Sequence, residues 1–248
     1  ALAEEFDPEL VVMFGVDHVR AYQDVVPAVS VVLSATGRGD AGSPLGSYDI
    51  PADTALGLAE HLLDAGVDCA VTHTIALDHG FGQTFGDLLG SLDARPVIPV
   101  HLNCAEAPLM RCERAVTVGR LVGEHFAADP RRILYLATGG LSHAPATLVK
   151  GARGLSEEER RRVNIEGEAE AVKAVNPEWD RWFLKQLEGT DTAWVAPMGR
   201  TLVADAGVGA NEVRTWLAAW AAGGSGLRTV AYEPVLEWIT GMGVVASR

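Results

Sequence analysis

Three of the seven histidines fall just past apolar runs: His18 in Val16-Asp17-His18, His79 in Leu77-Asp78-His79-Gly80-Phe81, and His143 in Gly139-Gly140-Leu141-Ser142-His143. Imidazole changes charge near neutral pH and is a common metal ligand, so such a trio suits proton transfer, metal binding or both. Asp17 and Asp78 each precede a candidate histidine, where a carboxylate would orient the ring and fix its tautomer. Glu237 lies in Leu236-Glu237-Trp238-Ile239. A carboxylate between apolar neighbours is costly to bury unless it is paired or metal-bound; the alternative is a partly exposed glutamate at a helix start. Two histidines and one carboxylate on one face would form the triad of non-haem Fe(II) oxygenases, with coordination positions left open. Zinc takes similar ligands, so donor type alone does not separate the two metals. Of the remaining histidines, His61 and His125 fall within helices and are expected to be exposed. His73 and His101 sit inside strand-like runs, as core imidazoles or pocket-lining ones.

The elements that must carry these residues read as a repeated strand-then-helix rhythm. Residues 9–16 form a near-continuous apolar run, the mark of a strand buried on both faces. Further strands are expected at 25–35, 69–77, 97–102, 131–138 and 228–235. Helices are expected at 53–65, 83–92, 109–127, 156–174, 179–187 and 211–222, the fourth opened by the capping box Ser156-Glu157-Glu158-Glu159. The rhythm predicts an α/β fold: a single domain with a central sheet, helices on its faces and an active site at the strand ends. Gly37, Gly39 and Gly42 spell G-x-G-x-x-G, but turn residues follow where a dinucleotide site needs a helix to begin, so these residues read as a glycine loop. The i, i+4 pair Trp216/Trp220 reads as a packing stripe or an oligomer contact.

Composition narrows the classes. Twenty Lys+Arg against 33 Asp+Glu give a net charge of −13, a poor match to nucleic acid or an anionic membrane. A mean hydropathy of +0.13 comes without any uninterrupted run near the ~18 apolar residues of a spanning helix. Cys69, Cys104 and Cys112 form no C-x-x-C pair and cannot all be disulfide-bonded, which points to a reducing, cytoplasmic compartment. The expectation is a cytoplasmic protein without nucleic-acid or membrane partners.

In order along the chain, Pro8-Glu9-Leu10-Val11-Val12 leading to Asp17-His18, Asp78-His79-Gly80-Phe81, Gly139-Gly140-Leu141-Ser142-His143, Asn176-Pro177, Thr215-Trp216-Leu217-Ala218-Ala219 and Glu237-Trp238-Ile239 resemble the class III extradiol ring-cleavage dioxygenases. The resemblance spans nearly the whole chain. It implies Fe(2+) as the metal, no organic cofactor, a catechol-type substrate with O2, a place in aromatic compound catabolism and a homo-oligomer. By resemblance, His18 matches one of two iron-binding histidines and Glu237 the iron-binding glutamate. His79 matches the proton-donating and His143 the proton-accepting histidine. The family's other iron-binding histidine precedes the strand that opens this chain and has no counterpart upstream of His18. The catalytic domain at 1–248 is therefore expected to lack an N-terminal segment, and the stretch between His143 and Asn176 looks shorter than in the relatives. Two alternatives follow from the incomplete ligand set: a non-catalytic relative or accessory subunit, and a zinc enzyme using the same donors.

Overall fold

A computed structural model describes residues 2–247. In chain order it runs α1 (Leu2–Phe6), β1 (Leu10–Gly15), β2 (Val29–Val32), β3 (Ala35–Arg38), β4 (Leu45–Ser47), α2 (Ala52–Asp64), β5 (Ala70–Thr72), β6 (Ile75–Leu77), α3 (His79–Leu89) and β7 (Val97–Leu102). Then follow α4 (Cys112–His125), β8 (Ile133–Ala137), α5 (Ala146–Lys150), α6 (Glu157–Ala171), α7 (Pro177–Gln186), α8 (Val195–Ala206), α9 (Val213–Gly223), β9 (Leu227–Val235) and β10 (Thr240–Ser247).

The apolar run at the start becomes β1, the fourth strand in a five-stranded sheet of order β5-β2-β7-β1-β8. It pairs in parallel with β7 and with β8. Because β1 is covered on both faces, its sequence is continuously apolar and not alternating. Val12 and Phe14 face one way, packing with Leu58 and Leu62 of α2 and Val118 and Val122 of α4. Val11 and Met13 face the other, toward Phe81 and Phe85 of α3. This is the expected α/β architecture, a central sheet between helices. The pairing of β2 with β7 is antiparallel, so the sheet is mixed. Gly119 of α4 lies so close to the Ala218 carbonyl of α9 that any side chain there would clash; the missing Cβ lets the two helices cross in contact.

Several expectations are met closely: β7 spans 97–102, and Ser156 and Glu159 form a complete capping box on α6. Others are corrected. The strand expected at 69–77 is two strands in different sheets, β5 beside β2 and β6 beside β3. Helix α8 falls where the sequence reading places no element, and it carries Pro197 and Gly199. Pro197 lies in the first turn, where an N–H has no intrahelical acceptor and its loss costs nothing. The last strand has an antiparallel partner, β10. Trp216 and Trp220 point inward and join Trp179, Phe183 and Trp194 in an aromatic cluster, so the pair is a packing stripe. Among the described residues, no helix is long and apolar enough to cross a membrane.

Candidate active site

His18, His79 and His143 converge beyond the ends of β1, β6 and β8. The His18 and His79 rings stack with centroids 4.4 Å apart and 14° between their planes. On its other edge His18 meets Glu212, with Nε2 3.2 Å from Oε1. His143 Nε2 stands 3.6 Å from the same oxygen.

Each ring is held by a partner that fixes its orientation, and for His18 and His79 that partner is a carboxylate distant in sequence. Asp78 precedes His79 but serves His18, accepting from its backbone N–H at 2.9 Å and from Nδ1 at 3.0 Å. Asp78 also caps α3 through Gly80 N–H at 3.0 Å. His79 is instead held by Asp40, which accepts from its Nδ1 at 2.6 Å and its backbone N–H at 3.0 Å. Asp40 comes from the glycine loop between β3 and β4. Asp17, the other expected orienting group, accepts from the backbone N–H groups of Arg20, Ala21 and Tyr22 and shapes the loop after β1. His143 Nδ1 lies 2.9 Å from the Leu141 carbonyl. A carbonyl only accepts, so Nδ1 carries a hydrogen, and Nε2 is the nitrogen turned toward Glu212. Gly209 packs against this imidazole with no room for a Cβ.

The expected carboxylate, Glu237, is not at the cluster. It sits exposed in a 3-10 turn, Leu236–Trp238, and its flanking Leu236 and Trp238 are exposed as well. Apolar neighbours in sequence did not bring burial, because the turn joins the two strands of a hairpin at its outer end. The acid that does meet the histidines is Glu212, buried at the end of the 3-10 turn Val208–Glu212. Its Oε2 accepts from Gly140 N–H at 2.7 Å, which ties it to the loop bearing His143. Glu212 gave no sequence signal: Asn211-Glu212-Val213-Arg214 reads as a polar helix start.

The electrostatics follow from this crowding of buried carboxylates. Burial disfavours a charged His18, but Asp78 and Glu212 outweigh it and raise the imidazole to about 10. Both ring nitrogens face carboxylate oxygens, and only imidazolium can donate to both. Burial likewise opposes charge on His143, and Glu212 overrides it to raise its basicity. Burial would raise the Glu212 and Asp78 carboxyls, yet His143 and His18 hold Glu212, and His18 and His79 hold Asp78, well below the usual range.

A cation fits this donor set. His18, Asp78 and His79 offer ligand atoms all within 4.8 Å of one another. The oxygens of Asp78 are nevertheless committed to His18, Gly80 and Arg20. Glu212 Oε1 faces only the two imidazole Nε2 atoms. With Asp78 on Nδ1, His18 is set up as a metal-binding histidine whose far nitrogen is fixed by a carboxylate, and a metal on Nε2 would replace a proton.

Residues 1–243 match the family described as the catalytic LigB subunit of aromatic ring-opening dioxygenase. The chain belongs to this family. It is similar to 2,3-dihydroxyphenylpropionate/2,3-dihydroxicinnamic acid 1,2-dioxygenase of Paraburkholderia xenovorans (strain LB400), with 37% identity over 100% of this chain and 87% of that protein. A Pseudomonas putida protein of the same name is 36% identical over 98% of this chain and 86% of its own length. In fold, an uncharacterized protein from Escherichia coli K12 superposes with a TM-score of 0.53 at 14% identity, covering 96% of this chain and 85% of the other. This ring-opening dioxygenase is thus an enzyme of the extradiol class, and the histidine cluster is its candidate active site.

Proposed function

We propose that this dioxygenase uses Fe(II) to open the ring of a catechol of the 2,3-dihydroxyphenylpropionate type with O2, in the cytoplasmic breakdown of aromatic compounds. The observation that carries the reading is the triangle of His18 Nε2, Glu212 Oε1 and His143 Nε2, with His79 stacked alongside. The names of the similar proteins support the substrate class, and the free cysteines fit a reducing compartment. His18 and Glu212 would hold the metal, Glu212 taking the role expected of Glu237. Bound there, Fe(II) would bring the two catechol oxygens and O2 together and activate them for reaction.

The remaining steps fall to the chain. His143 is the base: its Nδ1–H is spent on Leu141, and its Nε2 faces the metal donors. It takes a proton from a catechol hydroxyl at Nε2. His79 is the acid: Asp40 holds its Nδ1, which leaves Nε2 to deliver a proton as the ring rearranges. Asp40 is kept ionised against its burial by the His79 hydrogen bond, so it can hold an imidazolium without taking its proton.

The test is oxygen uptake by the Fe(II)-reconstituted protein on 2,3-dihydroxyphenylpropionate, expected at one O2 per ring opened, while zinc-loaded protein stays silent. Turnover with zinc and without O2 consumption would replace this reading with that of a redox-silent zinc enzyme using the same donors.

A further inference from the structure

Arg20 stands beside the reactive histidines and takes no part in the steps above. Its guanidinium reaches three carboxylates: Asp40 at 3.1 Å from Nε, Asp78 at 3.5 Å from Nη1, and Glu157 through Nε at 2.8 Å and Nη2 at 2.9 Å. The three differ in their commitments. Asp40 and Asp78 side chains are 4% and 0% exposed, and each holds a histidine. Glu157 is 50% exposed. It projects from the first turn of α6, orients no imidazole and has Arg20 as its main partner. Its two oxygens lie on the Nε/Nη2 edge of Arg20, the fork-to-fork geometry by which arginine recognises a carboxylate.

A pair with one exposed member is weakly held, because water competes for the exposed charge. Glu157 on the Nε/Nη2 edge is therefore replaceable, while Asp40 beside Nε and Asp78 beside Nη1 anchor the guanidinium. Asp40 Oδ2, which Arg20 shares, is the oxygen that binds His79 Nδ1. The guanidinium thus lies one carboxylate oxygen away from the acid histidine, which at 30% exposure is the most open of the three site imidazoles. The other buried arginine nearby, Arg160, is spent on the carbonyls of His18, Val19 and Ala152.

We propose that Arg20 recognises a carboxylate carried on the side chain of the catechol, and that Glu157 is the internal occupant this carboxylate displaces. The proposal rests on the ring-opening reading above and deepens it: Arg20 makes the enzyme selective for acidic catechols over neutral ones.

The test compares 2,3-dihydroxyphenylpropionate with the neutral 3-propylcatechol on the Fe(II)-loaded full chain. Wild type should favour the acid. Arg20→Gln should lower the acid-to-neutral ratio of kcat/KM by about 30-fold, the effect of one charge-assisted bidentate contact, chiefly through KM for the acid. Arg20→Lys should retain part of the ratio, and Glu157→Gln should raise it about threefold by freeing the guanidinium. Calorimetry on the metal-free protein gives a reading independent of turnover: 3-phenylpropionate should bind wild type more tightly than 3-phenylpropanol, and Arg20→Gln should abolish the difference. An unchanged ratio with kcat lowered on both catechols would overturn the proposal and make Arg20 a support for Asp40. Equal binding of the two phenyl compounds by wild type would overturn it too. Failure to consume O2 on either catechol would instead strike the ring-opening reading, with calorimetry still deciding the role of Arg20.

Discussion

Two short 3-10 turns, each bearing a glutamate, show what makes a carboxylate functional here. In Val208–Glu212 the residues Gly209, Ala210, Asn211 and Glu212 are all buried. The turn is tied by Asn211 to the Val208 carbonyl and by Arg214 to Asn211, and the Glu212 carbonyl accepts from Thr215. In Leu236–Trp238 every residue is exposed, and Ile239 just beyond it adopts a left-handed backbone. Glu212 follows the polar Asn211 and is buried, whereas Glu237 is flanked by the apolar Leu236 and Trp238 and is exposed. A buried charge persists only where partners meet its cost, and Glu212 has His18, His143 and Gly140 around it. Burial of a site carboxylate is decided by those partners and not by the hydropathy of its neighbours.

The contrast is most strongly tested by exchanging the two acids' fates. Glu212→Ala should lose bound iron and lower kcat/KM by at least about three orders of magnitude, whereas Glu237→Ala should keep its iron and stay within about threefold of wild type. Iron analysis on the two purified variants reads this directly, and metal loss in Glu237→Ala alone would reverse the comparison. Next in size, His143→Ala and His79→Ala should each cost about two to four orders of magnitude in kcat with iron retained; loss of iron in both would make them ligands and not proton carriers. Asp40→Asn removes the charge behind His79 while keeping its shape, and about a 10- to 100-fold fall in kcat is expected. A change below threefold would mean that the stacking on His18 suffices to hold the ring.

The smallest effect concerns a buried histidine that lacks the partners Glu212 has. His101 of β7 is fully buried, with neither ring nitrogen hydrogen-bonded, and burial pushes it down to about 3. Folded His101 is therefore neutral, while in the unfolded chain it protonates near 6.5. Between those two values the unfolded state binds the extra proton, so stability falls as pH is lowered, by up to about 1.4 kcal/mol per pH unit. His101→Phe should flatten that slope in urea midpoints taken at pH 6.5, 5.5 and 4.5. Parallel slopes for wild type and variant would show that acid destabilisation arises elsewhere.

How much of this was legible beforehand varies residue by residue. The apolar run of β1, the strand at 97–102 and the Ser156 capping box announce themselves, because burial on two faces and satisfaction of helix-end N–H groups act within a few residues. His18, His79 and His143 could be singled out because strand ends are where an α/β sheet builds its site. Their partners could not. Asp78 looked like the neighbour of His79 and serves His18; Asp40 was hidden in a glycine loop that resembled a nucleotide motif; Arg20 stood in no pattern at all.

By itself, then, the sequence determined the elements and the three imidazoles, together with a family likeness specific enough to name the chemistry. Tertiary structure alone decided which acid meets which base. The hydrogen bonds that do so join residues 39 apart for His79 and Asp40, 60 apart for His18 and Asp78, and 194 apart for His18 and Glu212. Periodicity records whether one element has a buried face. A pairing across such separations depends on how strands and loops are brought side by side, and it leaves no local trace in either partner's surroundings.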